Sequence, residues 1–168
     1  RVTDSAATRI KELETLAHTE RANPDQYDKS WRLALGTLGG GNHFIDLADD
    51  TGGTVWVTLH SGSRGVGNRI GTHYIKFAQD LCRKTGIELP DRDLAFLPED
   101  HPSFHAYMRD LNWAQQFAFH NRNEMMDRVL TELSYAVYQE DGHQPQLEVQ
   151  RINCHHNFTQ KEHHFGRD

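Results

Sequence analysis

Two histidines stand at the facing ends of two β-rich runs. His43 opens the run His43-Phe44-Ile45-Asp46-Leu47-Ala48, and His60 closes the run Thr54-Val55-Trp56-Val57-Thr58-Leu59-His60. The second run has the period-two pattern of a strand. Asp49-Asp50-Thr51-Gly52-Gly53 between them is a strong turn signal. A turn centred between Thr51 and Gly52 makes opposed positions of an antiparallel hairpin sum to 103, and His43 and His60 satisfy that sum. Directly opposed side chains share one face with Cβ atoms about 4.5–5.5 Å apart. Two imidazoles at that spacing could share a divalent metal ion or hold adjacent ones. The inference depends on register, because a slip of one residue sends the pair to opposite faces.

Histidine is the compositional outlier, at 12 of 168 residues, and it is both a common metal ligand and the side chain that titrates near neutral pH. His155 and His156 follow residues 147–153, which read as a third strand. Laid beside the hairpin, that strand would deliver one of them to the same end. Three histidines would still need a further ligand, from water, a carboxylate or a thiolate. The other histidines, His18, His73, His101, His105, His120, His143, His163 and His164, show no comparable convergence and read as surface or packing residues.

Two glycine-rich loops lie at the histidine end of the hairpin. Gly36-Thr37-Leu38-Gly39-Gly40-Gly41-Asn42 precedes the first run, and Ser61-Gly62-Ser63-Arg64-Gly65-Val66-Gly67-Asn68 follows the second. Glycine lets backbone N–H groups approach a phosphate closely, and successive N–H groups form an anion nest. Arg64 adds a planar cation suited to phosphate. Gly67-Asn68 is expected to lead into a helix N-terminus, which favours anions. Neither loop ends in the Gly-Lys-Ser/Thr of a P-loop, and neither has the context of a dinucleotide fingerprint. Paired histidines, two such loops and an arginine point to metal-assisted phosphate chemistry.

The elements that must position these residues follow from periodicity. Residues 3–18 carry Ala6, Ala7, Ile10, Leu13 and Ala17 at helical spacing, with Thr3 or Asp4 as N-cap. Asn23-Pro24-Asp25 breaks that helix. A second helix is expected over residues 69–84, with Ile70, Tyr74, Phe77, Ala78 and Leu81 inward. Residues 87–102 hold three prolines and read as an irregular loop. A long helix is expected over residues 103–138, ended by Asp141-Gly142. The fold class expected is α+β, a mixed or antiparallel sheet with packed helices. The long helix should lie behind the sheet, and the metal and nucleotide site at the strand ends.

Composition narrows the class. The length suffices to bury a core without disulfides, and two cysteines, Cys82 and Cys154, make no disulfide scaffold. A reducing, cytoplasmic setting is the default expectation. No apolar run approaches membrane-spanning length, and no membrane partner is expected. The net charge of −6 argues against a broad non-specific nucleic-acid surface, while leaving room for a locally basic groove.

Three blocks carry a family resemblance. Gly36-Thr37-Leu38-Gly39-Gly40-Gly41-Asn42-His43-Phe44, Leu59-His60-Ser61-Gly62-Ser63-Arg64-Gly65 and Asn153-Cys154-His155-His156-Asn157 resemble, in order, signature blocks of the RtcB family of RNA-splicing ligases. Asp93-Leu94-Ala95-Phe96-Leu97-Pro98-Glu99 and Trp113-Ala114-Gln115 are also similar to that family. The resemblance implies an RNA ligase that joins a 2′,3′-cyclic-phosphate or 3′-phosphate end to a 5′-hydroxyl end, with GTP, manganese (two ions in the intact enzyme) and an RNA substrate, as in tRNA splicing or RNA repair. It implies metal ligation by His43, His60 and His156, the last because the family pattern is His followed by Asn. It places Asn42, His43, Phe44, Ile45, Asp46, His156 and Asn157 at the guanylate and metal site, and Arg64 on an RNA phosphate. Asp46 departs from the family's Glu and reaches less far. The family's Asp and Cys ligands lie upstream of Arg1, and the histidine that takes the guanylate lies downstream of Asp168. Residues 1–168 are thus expected to be a single partial domain, the central part of such a ligase with N- and C-terminal parts missing and no catalytic nucleophile. The alternative is a shortened or truncated module that holds metal or nucleotide without ligating. A metal-dependent hydrolase using His43 and His60 is the weakest reading, because no Glu or Asp sits in a recognisable general-base motif beside them.

Overall fold

The computed structural model describes residues 3–142, 148–155 and 157–166. Helix α1 spans Asp4–Glu20 and is capped by Thr3, whose hydroxyl accepts from the Ala6 N–H at 3.1 Å. Two one-turn helices follow, α2 at Pro24–Tyr27 and α3 at Trp31–Ala34, too short for a periodicity signal. Strands β1 (Phe44–Asp49) and β2 (Val55–His60) form an antiparallel hairpin. Helix α4 spans Arg64–Lys84, a 3-10 turn covers Arg92–Leu94, and α5 spans Pro102–Asp141. At 40 residues α5 is about 60 Å long. Helices with a small antiparallel sheet agree with the α+β class expected.

The core is helical. Leu13 of α1, Trp31 of α3, and Trp113 and Phe117 of α5 are fully buried. Trp31 meets Trp113 edge-on at 5.1 Å between ring centroids, and Trp113 stacks on Phe117 at 5.6 Å. Both indole N–H groups are satisfied, Trp113 by the Leu13 carbonyl at 3.0 Å and Trp31 by Asp25 at 2.9 Å. Val66, Ile70, Tyr74, Ala78 and Cys82 form the buried stripe of α4. Thus α5 packs on α1 and α4, and not behind the sheet as expected. The hairpin stands largely exposed, with Phe44, Ile45, Leu47, Val55 and Trp56 each at least 39% accessible.

Three further expectations are corrected. The hairpin pairs Phe44 with His60 and Asp49 with Val55, one residue off the register that would oppose His43 to His60. The loop holds an odd number of residues, centred on Gly52. Asp50 closes it by accepting from the Gly52 and Thr54 N–H groups at 2.8 and 3.0 Å and from the Trp56 indole at 3.0 Å. Gly53 takes the left-handed conformation that this three-residue turn requires, with φ of 80°. Second, α4 begins at Arg64 and not at Arg69, so the second half of the glycine-rich loop is already helical and the helix N-terminus lies before Arg64, not at Gly67-Asn68. Third, residues 148–153 form no strand. Side-chain bonds to α5 hold this segment instead.

Candidate functional site

The two glycine-rich loops are fastened to each other by one residue of α5. Asn121 is fully buried. Its Oδ1 accepts from the Gly36 and Thr37 N–H groups at 2.7 and 3.2 Å. Its Nδ2 faces the Thr37 carbonyl, the Ser61 hydroxyl and the Gly62 carbonyl at 3.2–3.3 Å. Ser61, also buried, donates from its hydroxyl to the Leu38 carbonyl at 3.0 Å. A primary amide suits this junction because it offers donors and acceptors together.

The neighbouring Arg122 fastens the third block. Its Nε donates to Asn153 Oδ1 at 2.7 Å, and its Nη1 reaches the Ser61 carbonyl at 3.4 Å. Asn153 in turn donates to the Phe119 carbonyl and Asn123. Burial, and then the Arg122 charge, hold the His155 imidazole below the usual histidine range. Residues 153–155 therefore reach the second loop through α5 and not through a sheet.

Against this frame His43 and His60 meet despite the shifted register. His43 precedes the first paired residue, so strand alternation does not bind it, and its ring centroid lies 5.9 Å from that of His60. Phe44 stacks on His60 at 5.6 Å with rings 9° from parallel. Arg64 completes the group, with Nη1 3.1 Å from His43 Nδ1 and Nε donating to Thr37 at 3.3 Å. Burial first, then the charge of Arg64 and of His60, push the His43 imidazole below its ordinary value, against a raising backbone hydrogen bond at Leu38. The imidazole is thus held neutral, the form that offers a lone pair to a metal.

The remaining expected residues divide. By the observed register Phe44 and Asp46 share the face of His60, whereas Ile45 points to the other face. Ile45 therefore cannot line the same site through its side chain. Asn42, Asp46 and Asn157 are exposed. His156 lies outside the described residues, so its part in a three-histidine site is not visible. Among the described residues no three His, Cys, Asp or Glu side chains are gathered closely enough to hold a metal. The other histidines include structural ones. His101 caps α5 by accepting from the Ser103 N–H, and His120 faces Glu12 at 3.7 Å.

Asn121 and Arg122 escaped the sequence reading. For Asn121 the signal was a polar residue on an apolar stripe, since Trp113, Phe117, Asn121 and Glu124 recur at helical spacing and all four are buried, whereas Arg122 lies off that stripe.

The sequence matches the family model described as tRNA-splicing ligase RtcB over residues 2–168. It is 50% identical over 135 residues to the RNA-splicing ligase RtcB of Escherichia coli K12, covering 80% of this chain and 33% of that protein. It is 34% identical over 129 residues to the tRNA-splicing ligase RtcB of Aeropyrum pernix, covering 68% of this chain and 27% of that protein. The relative from Methanococcus maripaludis is 27% identical over 173 residues, or 92% of this chain and 36% of that protein. The chain spans about a third of the length of the curated relatives it matches.

Proposed function

The chain belongs to the RtcB family, and from that premise we propose that its hairpin and two glycine-rich loops form the metal- and nucleotide-binding part of an RNA ligase. The reaction proposed joins a 2′,3′-cyclic-phosphate or 3′-phosphate RNA end to a 5′-hydroxyl end, with GTP activating the 3′-phosphate. The observation that carries this reading is the convergence of His43, His60 and Arg64 at the mouth of the two loops.

The donor set suits a divalent transition metal, and manganese is the ion the family resemblance implies. Two imidazoles lie side by side, one held neutral, and a cation already sits on the His43 lone pair. His43 and His60 would be ligands, with His156 as a third. Bound manganese would neutralise charge on the transferring phosphate and orient it. The chain's own groups do the rest. Arg64, at the first turn of α4, would receive a phosphate oxygen bidentately, helped by the N–H groups of that turn. Phe44 and Asp46, on the face of His60, would border the nucleotide together with Asn42 and Asn157, while Ile45 contributes backbone only. Asn121 keeps both loops in place so that these groups need no reorganisation during transfer.

The test is a chimera in which this chain replaces the matching segment of the E. coli ligase. It should join a 2′,3′-cyclic-phosphate RNA to a 5′-hydroxyl RNA when given GTP and Mn²⁺. His43→Ala or His60→Ala in the chimera should abolish joining. A folded chimera that does not ligate, or one indifferent to both substitutions, overturns the proposal.

A further inference from the structure

We infer that Arg64 occupies the place a metal ion must take at His43, so that metal loading displaces Arg64 and frees it for a phosphate. This rests on the metal reading above and adds to it an order of events.

The argument begins with the lone pair. A guanidinium has only donors and does not lose its proton in proteins. With Nη1 at 3.1 Å, His43 Nδ1 must therefore be the unprotonated nitrogen. In the neutral ring the proton then sits on the other nitrogen. A neutral imidazole has one in-plane lone pair, and here Arg64 holds it. A metal ion needs that same lone pair. Moving the proton to Nδ1 does not avoid the conflict, because it sets a donor against a donor and also breaks the arginine contact.

The loops are shaped around the arginine. A Cβ on Gly39 would lie 1.6 Å from Arg64 Nη1, and Gly39 itself has φ of 92°. Arg64 adopts φ of 56°, a left-handed conformation costly for a residue with a side chain. Its Nε is anchored by Thr37. These features seat a positive charge beside His43. After displacement the guanidinium stays tethered to the first turn of α4, close to a like-charged metal, and an anion between the two relieves the repulsion. Metal and phosphate should therefore bind cooperatively, and each must raise the affinity of the other equally.

Calorimetric titration of the 168-residue chain with Mn²⁺, in buffer free of phosphate, tests this. Arg64→Ala should bind Mn²⁺ roughly tenfold more tightly than wild type, the scale of one charge-assisted hydrogen bond. Arg64→Gln, which keeps an amide donor but no charge, should fall between. With saturating adenosine 3′-monophosphate the advantage of both variants should vanish or reverse. In wild type, nitrogen-15 NMR should show the Arg64 Nε–H signal moving on saturation with Zn²⁺. Equal or weaker Mn²⁺ binding by both variants, or an unmoved Arg64 signal at saturation, overturns the displacement. His43→Ala separates the two layers: if it leaves Mn²⁺ affinity unchanged, the metal reading itself fails. If it weakens binding while the Arg64 variants do not strengthen it, only the displacement fails.

Discussion

His120 shows how one half-buried side chain ties pH to folding. Burial holds its imidazole below the usual histidine value, and Arg9 on α1 adds to that, while Glu12 on the same helix opposes it. The edge of the ring meets Phe119. A histidine whose value is lowered on folding binds its proton better in the unfolded chain. Stability is therefore full above about pH 6.5, the unfolded value, and falls as pH drops through it. His120→Gln should flatten this loss, so that its denaturant midpoint changes less between pH 7 and pH 5 than that of wild type. A parallel decline in both proteins would show that His120 is not the group responsible. The sequence marks His120 and His101 as surface or packing residues. His101 has a local role as the cap of α5, whereas that of His120 is not revealed by its neighbours in sequence, because its partner belongs to α1, more than a hundred residues away.

At the scale of elements, α5 is an organising rod and not a backing for the sheet. Asn121 and Arg122, adjacent in sequence, reach the first loop, the second loop and residues 153–155. Removing the Asn121 amide takes away the acceptor of the Gly36 N–H, while the Thr37 N–H keeps the Ala34 carbonyl at 3.2 Å, a cost of about 1–3 kcal/mol. Asn121→Ala should lower stability by that amount in urea unfolding. It should also weaken Mn²⁺ binding, though Asn121 touches neither histidine. A loss of stability with Mn²⁺ affinity intact would mean that the loops hold their geometry without the clamp. The hairpin illustrates the opposite case, where local chemistry decides. Asp50 and Gly53 set an odd loop, the odd loop sets the register, and the register separates Ile45 from Phe44 and Asp46.

For the whole molecule, Glu124 is the charge that joins the first helix to the last. It is fully buried. Burial pushes its carboxyl upward, but hydrogen bonds from Thr3, Ser5, Arg128 and Arg9 outweigh this and hold it below the usual carboxylate range. Arg128 also donates to the Gly36 carbonyl at 3.2 Å, so the same knot touches the first glycine-rich loop. Glu124→Ala leaves Arg9 with Asp127 alone and Arg128 with the Gly36 carbonyl, and should cost about 1–3 kcal/mol. Glu124→Gln, which keeps the volume and part of the bonding, should cost less. The check is thermal unfolding of both variants, and a Glu124→Ala midpoint equal to wild type would refute the role assigned to this residue.

The sequence by itself determined most local elements and the approach of His43 to His60 at one end of the hairpin. Thr3 as cap, the stripes of α1 and α4, the turn at Asp50 and the nearness of His43 to His60, though not their register, are legible in residue types at short spacing, because capping, periodicity and turn formation act over a few residues. Only the tertiary structure decided what fastens the site together. That α5 packs on helices, that Asn121 and Arg122 replace a third strand as the link between motifs, and that Arg64 sits on His43 depend on contacts between residues far apart in the chain. A buried asparagine gains its meaning from the backbone groups brought to it, and those are chosen by packing around Trp31, Trp113 and Phe117, not by its neighbours in sequence.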